Sequence, residues 1–151
     1  MATISRRKDI IDLIITKLKT INGAVSADDA TYTYITNIGD RVFRGFKTLE
    51  AINDFPSLYV TPGVETYLYN TVGNTQAGLD IKVRGFVKVE ADRDALDDLT
   101  DDIDHLVYSM KTDIHGIQLL QVASVDTDNG LLEDYGILEM VIQIIYEVSN
   151  I

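Results

Sequence analysis

A chain of 151 residues with a net charge of −11 and no cysteine excludes several classes at once. Disulfide frameworks, thiolate metal sites and cysteine nucleophiles all need a residue type it lacks. Residues 1–50 hold eight Lys/Arg and six Asp/Glu (+2), and residues 51–151 hold five and eighteen (−13); that balance argues against a general DNA-binding domain, because phosphate affinity rests on clustered Lys and Arg.

The length suits one domain, residues 1–151, with a sizeable core. After the charged start Met1 to Lys8, the residues Asp9, Asp12 and Lys17 interrupt every apolar run, so neither a signal peptide nor a membrane span is expected. The lack of cysteine suits the cytoplasm. The uneven charge suits like copies packed head to tail around a ring, and equally a surface that is acidic for solubility.

In chain order, Ser5 to Ile21 is predicted as a helix, because Ile10, Ile11, Ile14, Ile15, Leu18 and Ile21 make one broad apolar face. Asn22-Gly23 supplies a left-handed C-cap. Thr31 to Ile35, with Tyr32 and Tyr34 alternating with threonine, reads as a strand or edge arm. Ile38, Val42 and Phe46 are spaced for a short helix, weakened by Gly39 and Gly45. Thr48 to Asp54 is ambiguous. Ser57 to Thr61 is a buried strand, Pro62-Gly63 a turn and Val64 to Asn70 the returning strand. Thr71 to Ala77 has no large apolar residue and is expected to be an exposed hairpin tip joining Tyr69 to Leu79.

Gly78 to Met110 organises the rest. Leu79, Ile81, Val83, Val87 and Val89 alternate with Asp80, Lys82, Arg84, Phe86, Lys88 and Glu90, which is a strand with one buried face. The period then lengthens. Leu96, Leu99, Ile103, Leu106 and Met110 form one stripe of a helix with Asp92 as its N-cap. His115-Gly116 marks the exit, Ile117 to Val125 is a strand, and Asp126 to Gly136 is turn-rich. The last strand, Ile137 to Val148, is expected to be central and covered on both sides. The order of elements is that of an α+β fold: a mostly antiparallel sheet of about five or six strands, with two main helices packed on one face.

The unusual feature is a run of seven aspartates on the second helix: Asp92, Asp94, Asp97, Asp98, Asp101, Asp102 and Asp104. Aspartate is a poor mid-helix residue, and like charges one turn apart cost about 0.2–0.5 kcal/mol each. The run reads either as a solvated face or as an acidic surface for a basic partner. Helix-borne metal sites project carboxylates inward from facing helices, whereas these lie opposite the apolar stripe, so no metal is expected. His105 and His115 have no serine or cysteine context for catalysis. Asp126-Thr127-Asp128-Asn129-Gly130 departs from a calcium loop, with glycine fifth and Ile137 in the place of the closing glutamate, and a tight turn through Asn129-Gly130 explains it better. Phosphate-loop, dinucleotide, zinc-protease and nucleophile-elbow motifs are absent, so neither an enzyme nor a cofactor is expected.

Arg41-Val42 with Arg44-Gly45, then Phe55-Pro56-Ser57-Leu58-Tyr59-Val60 and a turn, resemble the middle of phage tail terminator proteins. The strand Leu79 to Val89 feeding an acidic helix also resembles them. So do the Asp-rich turn at Asp126 to Gly130, the Tyr135-Gly136 step and the strand closing on Ile144-Ile145-Tyr146. The resemblance spans roughly Leu13 to Tyr146, and the first fifty residues carry it least. It implies a structural virion subunit in the tail, at the head–tail junction, assembled in the host cytoplasm. It further implies a homo-hexameric ring that sits on the last ring of the tail tube protein, stops polymerisation and meets the head-completion or connector protein. Catalysis, cofactors, a membrane and sequence-specific nucleic acid are not part of that picture. A head-closure or tail-completion protein of the same neck, or a monomeric ligand-binding module, is the alternative. Within the ring reading, Arg41, Arg44 and Lys47 of one copy are expected to face Asp98 and Asp102 of the next. The loop Thr71, Val72, Gly73, Asn74, Thr75, Gln76 and Ala77 is expected to contact the tube.

Overall fold

A computed structural model describes residues 7–26, 30–69, 74–88, 94–110, 117–128 and 134–149. Helix α1 (Arg7–Leu18) is followed by the short strand β1 (Val42–Arg44), a 3-10 turn (Leu49–Ala51), strands β2 (Ser57–Tyr69) and β3 (Asn74–Lys88), helix α2 (Ala95–Ser109), and strands β4 (Ile117–Thr127) and β5 (Tyr135–Ser149). The five strands form one sheet in the order β1-β2-β3-β5-β4. Only the β1–β2 pair is parallel; the others are antiparallel. The α+β class and the two helices on one face agree with the sequence expectation.

The helix-facing side of the sheet carries Leu58, Val60, Leu79, Ile81, Val83, Leu138, Met140, Ile142, Ile144 and Tyr146, all buried in one cluster with Ile10, Ile11, Ile14 and Leu18 of α1 and Leu99, Ile103 and Leu106 of α2. Burial of each such side chain stabilises the fold by about 1.5–3 kcal/mol. Two glycines set how close α2 lies. A Cβ on Gly85 would stand 2.9 Å from Leu99 Cδ2, and one on Gly136 would stand 2.8 Å from Leu96 Cγ. At both places the helix side chains occupy the room a side chain would need.

Three local expectations about the strands are corrected. Pro62-Gly63 is not a turn: β2 runs straight through, with a register shift between Pro62 and Glu65 against a single partner strand. Two β2 residues are absorbed opposite Asp80, and a Cβ on Gly63 would meet the Asp80 carbonyl oxygen at 2.8 Å. Val42 to Arg44 is a strand, not part of a helix; Gly39 (φ 56°) and Gly45 (φ 120°) bracket it in conformations a helix cannot continue. Thr31 to Ile35 is an arm, one of the two forms expected, held by the isolated bridges Val25–Thr33 and Asn22–Asn37. Asn74 to Ala77 belong to β3 rather than to a loop, and Ala77 is fully buried opposite Tyr67 and Tyr146. The hairpin itself is as expected, and its remaining residues Thr71, Val72 and Gly73 lie outside the described residues. So do His115 and the Asn129-Gly130 turn, whereas the N-cap of α2 is Asp94 and not the expected Asp92.

Among the described residues, the other face of the sheet is covered only at one end. There Phe86, expected among the outward residues, is buried with Ile52 and Tyr59. Strand β5 is central between β3 and β4, as expected. On its outer face, however, Ile137, Val141 and Ile145 are only half-buried, so the predicted cover on both sides is partial.

Candidate assembly surfaces

The acidic helix divides into distinct faces. Asp94, Asp97, Asp101, Asp104 and Tyr108 recur at intervals of three and four, and all are exposed. They form an outer stripe opposite the inner one of Leu99, Ile103 and Leu106. Asp98 lies beside this ridge, on a groove of about 260 Å³ lined by Ile35, Thr36, Phe55, Pro56, Val87 and Ala95, with Lys88 across from it.

Asp102 is not on the surface at all. It is 0% exposed, which corrects the expectation that it faces a neighbouring copy. Its position was readable, because it stands three residues after Leu99 and four before Leu106, inside the buried arc. Its carboxylate accepts from Tyr32 Oη (2.7 Å), from the backbone N–H of Ile35 (3.0 and 3.1 Å), and from the N–H (2.7 Å) and Oγ1 (2.6 Å) of Thr36. One helix carboxylate thereby holds the whole Tyr32–Thr36 arm. Burial, then the hydrogen bond to Asp102, raise the Tyr32 phenol well above its usual range. The His105 ring stacks on Tyr32 at 3.8 Å and meets Tyr34 edge-on, so it is packed as an aromatic against the arm.

The three cations expected at the interface cluster around β1 and already have contacts within the chain. Arg41 Nε donates to the Pro56 carbonyl at 2.8 Å, and its Nη2 donates to the Asn37 carbonyl. Arg44 stands 3.7 Å from Asp12 of α1. Lys47 lies over the Tyr59 ring. None of these contacts brings them to Asp98 or Asp102.

A second polar anchor closes the far end of the sheet. The β2 bulge turns Glu65 to the helix side, where it accepts from Tyr146 Oη at 2.7 Å and meets Arg7 at 3.7 Å. Burial and this carboxylate raise the Tyr146 phenol in the same way. Neither tyrosine stood out in the sequence, because both fit ordinary strand composition.

The open face of the sheet is the other large surface. Along β3, Lys82, Arg84 and Lys88 point to it. Lys82 and Arg84 share one carboxylate, Glu139, at 3.7 Å each. Arg84 lies over the Phe46 ring at 4.7 Å, and Lys88 over Phe55 at 5.5 Å. Phe46 is 61% exposed and Val64 70%, beside a shallow basin lined by Pro62, Lys82, Arg84 and Val141. Among the described residues, no three His, Cys, Asp or Glu side chains are grouped to hold a metal, and no helix is long and apolar enough to cross a membrane.

Comparison with known proteins places this architecture. The chain is similar in fold to a solved protein of the virion of a native gene transfer agent particle, with a TM-score of 0.53 at 13% identity over 89% of this chain and 91% of that one. No curated protein matches the sequence. A family model described as bacteriophage tail tube terminator protein matches residues 4–151. The chain thus belongs to the phage tail tube terminator family and is a structural protein of the virion tail.

Proposed function

We propose that the chain caps the tail tube as a hexameric ring at the head–tail junction, halts tube polymerisation and presents its upper surface to the head-completion or connector protein. It acts without catalysis or cofactor. The family match over residues 4–151 carries this reading. The build of the molecule supports it. The outer stripe of α2 and the open sheet face both carry charge, and among the described residues the one fully buried carboxylate serves to fix an arm rather than to do chemistry. The β2–β3 hairpin, with residues 71–73 at its end, remains the segment proposed to contact the tube.

The test uses purified protein and polymerising tube protein. Added early, the chain should arrest tubes at short lengths, with density capping one end in negative-stain images. Tubes that grow to the same lengths with and without it would refute capping.

A further inference from the structure

We propose that the outer stripe of α2 in one copy seats on the β2–β3 half of the open sheet face of the next copy. This deepens the ring reading and rests on it. Three observations support it. The first is sign: Asp94, Asp97, Asp101 and Asp104 are exposed in one line, while Lys82, Arg84 and Lys88 lie in one line on β3. The second is length: the stripe from Asp94 to Tyr108 extends about 21 Å at 1.5 Å per helical residue, and the row from Lys82 to Lys88 about 20 Å at 3.4 Å per strand residue. The third is apolar contact: Tyr108 is 69% exposed on the stripe, and Phe46 and Val64 are 61% and 70% exposed beside the row.

The two surfaces lie on opposite layers of the molecule, one on the helices and one on the bare side of the sheet. Their union is therefore head-to-tail, the kind that closes into a ring when the rotation per copy allows it. The cations of the sheet face set the position: β4 and β5 carry no Lys or Arg, so Lys82, Arg84 and Lys88 draw the stripe to the β2–β3 half. Asp80 is half-buried on β3, and Glu139 of β5 pairs with Lys82 and Arg84. This replaces Asp102 as a contact and adds Lys82 and Lys88, which the alternation of β3 puts on one outward face.

The experiment is a charge swap in the full chain, read by light scattering and sedimentation at low and at 0.5 M salt. Asp97→Lys with Asp101→Lys, and separately Lys82→Glu with Lys88→Glu, should each weaken ring formation at least about tenfold. All four changes in one chain should restore it, and Asp126→Lys should leave it unchanged. Unaltered helical circular dichroism shows that the variants fold. Because the chain has no cysteine, Asp101→Cys with Arg84→Cys, near the middle of the stripe and of the row, gives a second measurement, a ladder of disulfide-linked copies on oxidation. A ring that survives both single-sided reversals, or a four-fold variant that fails to reassemble, overturns this interface while the ring stands. A wild-type chain that stays monomeric in solution and on tube ends overturns the ring and this interface together.

Discussion

Removing the Asp102 carboxylate should unhook the Tyr32–Thr36 arm from α2. Four donors converge on it at 2.6–3.1 Å: Tyr32 Oη, two backbone N–H groups and Thr36 Oγ1. A hydrogen bond to a charged acceptor contributes about 1.5–3 kcal/mol net, and each donor left unpaired in a buried site costs about 1–3 kcal/mol. These terms do not add, since the arm can lift and let water in. Asp102→Ala is therefore expected to cost about 3–5 kcal/mol, a large share of a typical total of about 5–15 kcal/mol. Asp102→Asn keeps the shape but turns an NH2 toward donors, and should cost about 2–4 kcal/mol. Tyr32→Phe removes one donor and leaves three in place, and should cost about 1 kcal/mol. Urea unfolding followed by circular dichroism measures the series, with a midpoint lowered by about 1.5–2.5 M for the alanine variant at an unchanged slope of about 2 kcal/mol per M. An alanine variant within 1 kcal/mol of wild type, or an asparagine variant more damaging than alanine, would refute the anchoring role. It follows that a charge reversal at Asp102 reports on folding, whereas reversals at the exposed Asp97 and Asp101 test association.

Gly136→Val should destabilise by about 1–3 kcal/mol, because its branches would enter space held by Leu96 and the Cβ alone would already stand 2.8 Å from Leu96 Cγ; thermal unfolding measures it. Leu99→Ala opens a cavity between α2 and the sheet at a fully buried position, for about 2–5 kcal/mol in urea unfolding. Stability should also fall at high pH. The folded state raises the Tyr32 and Tyr146 phenols above the value of about 10 that they have in the unfolded chain, so their contribution is complete below that pH and is lost as pH rises beyond it. Urea midpoints between pH 8 and 11 should decline, and Tyr146→Phe should flatten the decline; a midpoint that rises with pH over that interval would contradict the assignment.

Periodicity made most of the fold legible. The change from alternation to threes and fours between Val87 and Leu96 located β3 and α2, and the apolar face of α1 was correct residue by residue at Ile10, Ile11, Ile14 and Leu18. Pro62-Gly63 misled because turn residues also serve a bulge, and only the partner strand decides which. Phe86 misled because alternation shows which residues share a face but not that one end of the outer face acquires its own cover from Ile52 and Tyr59. Asp102 was misread when its charge was given more weight than its place on the helix; a carboxylate can be buried once enough donors surround it. The interface residues were least legible. Lys82 and Lys88 come together with Phe46 and Phe55 only through sheet register and a loop, neither of which leaves a local pattern.

A chain that ends tail growth through its surfaces leaves its mark on tail length. The direct measurement is the distribution of tail lengths in phage lysates made without the gene product and with it supplied in trans. Tails of variable, excessive length that return to one length on complementation are the predicted result. Tails of normal length in its absence would contradict the account.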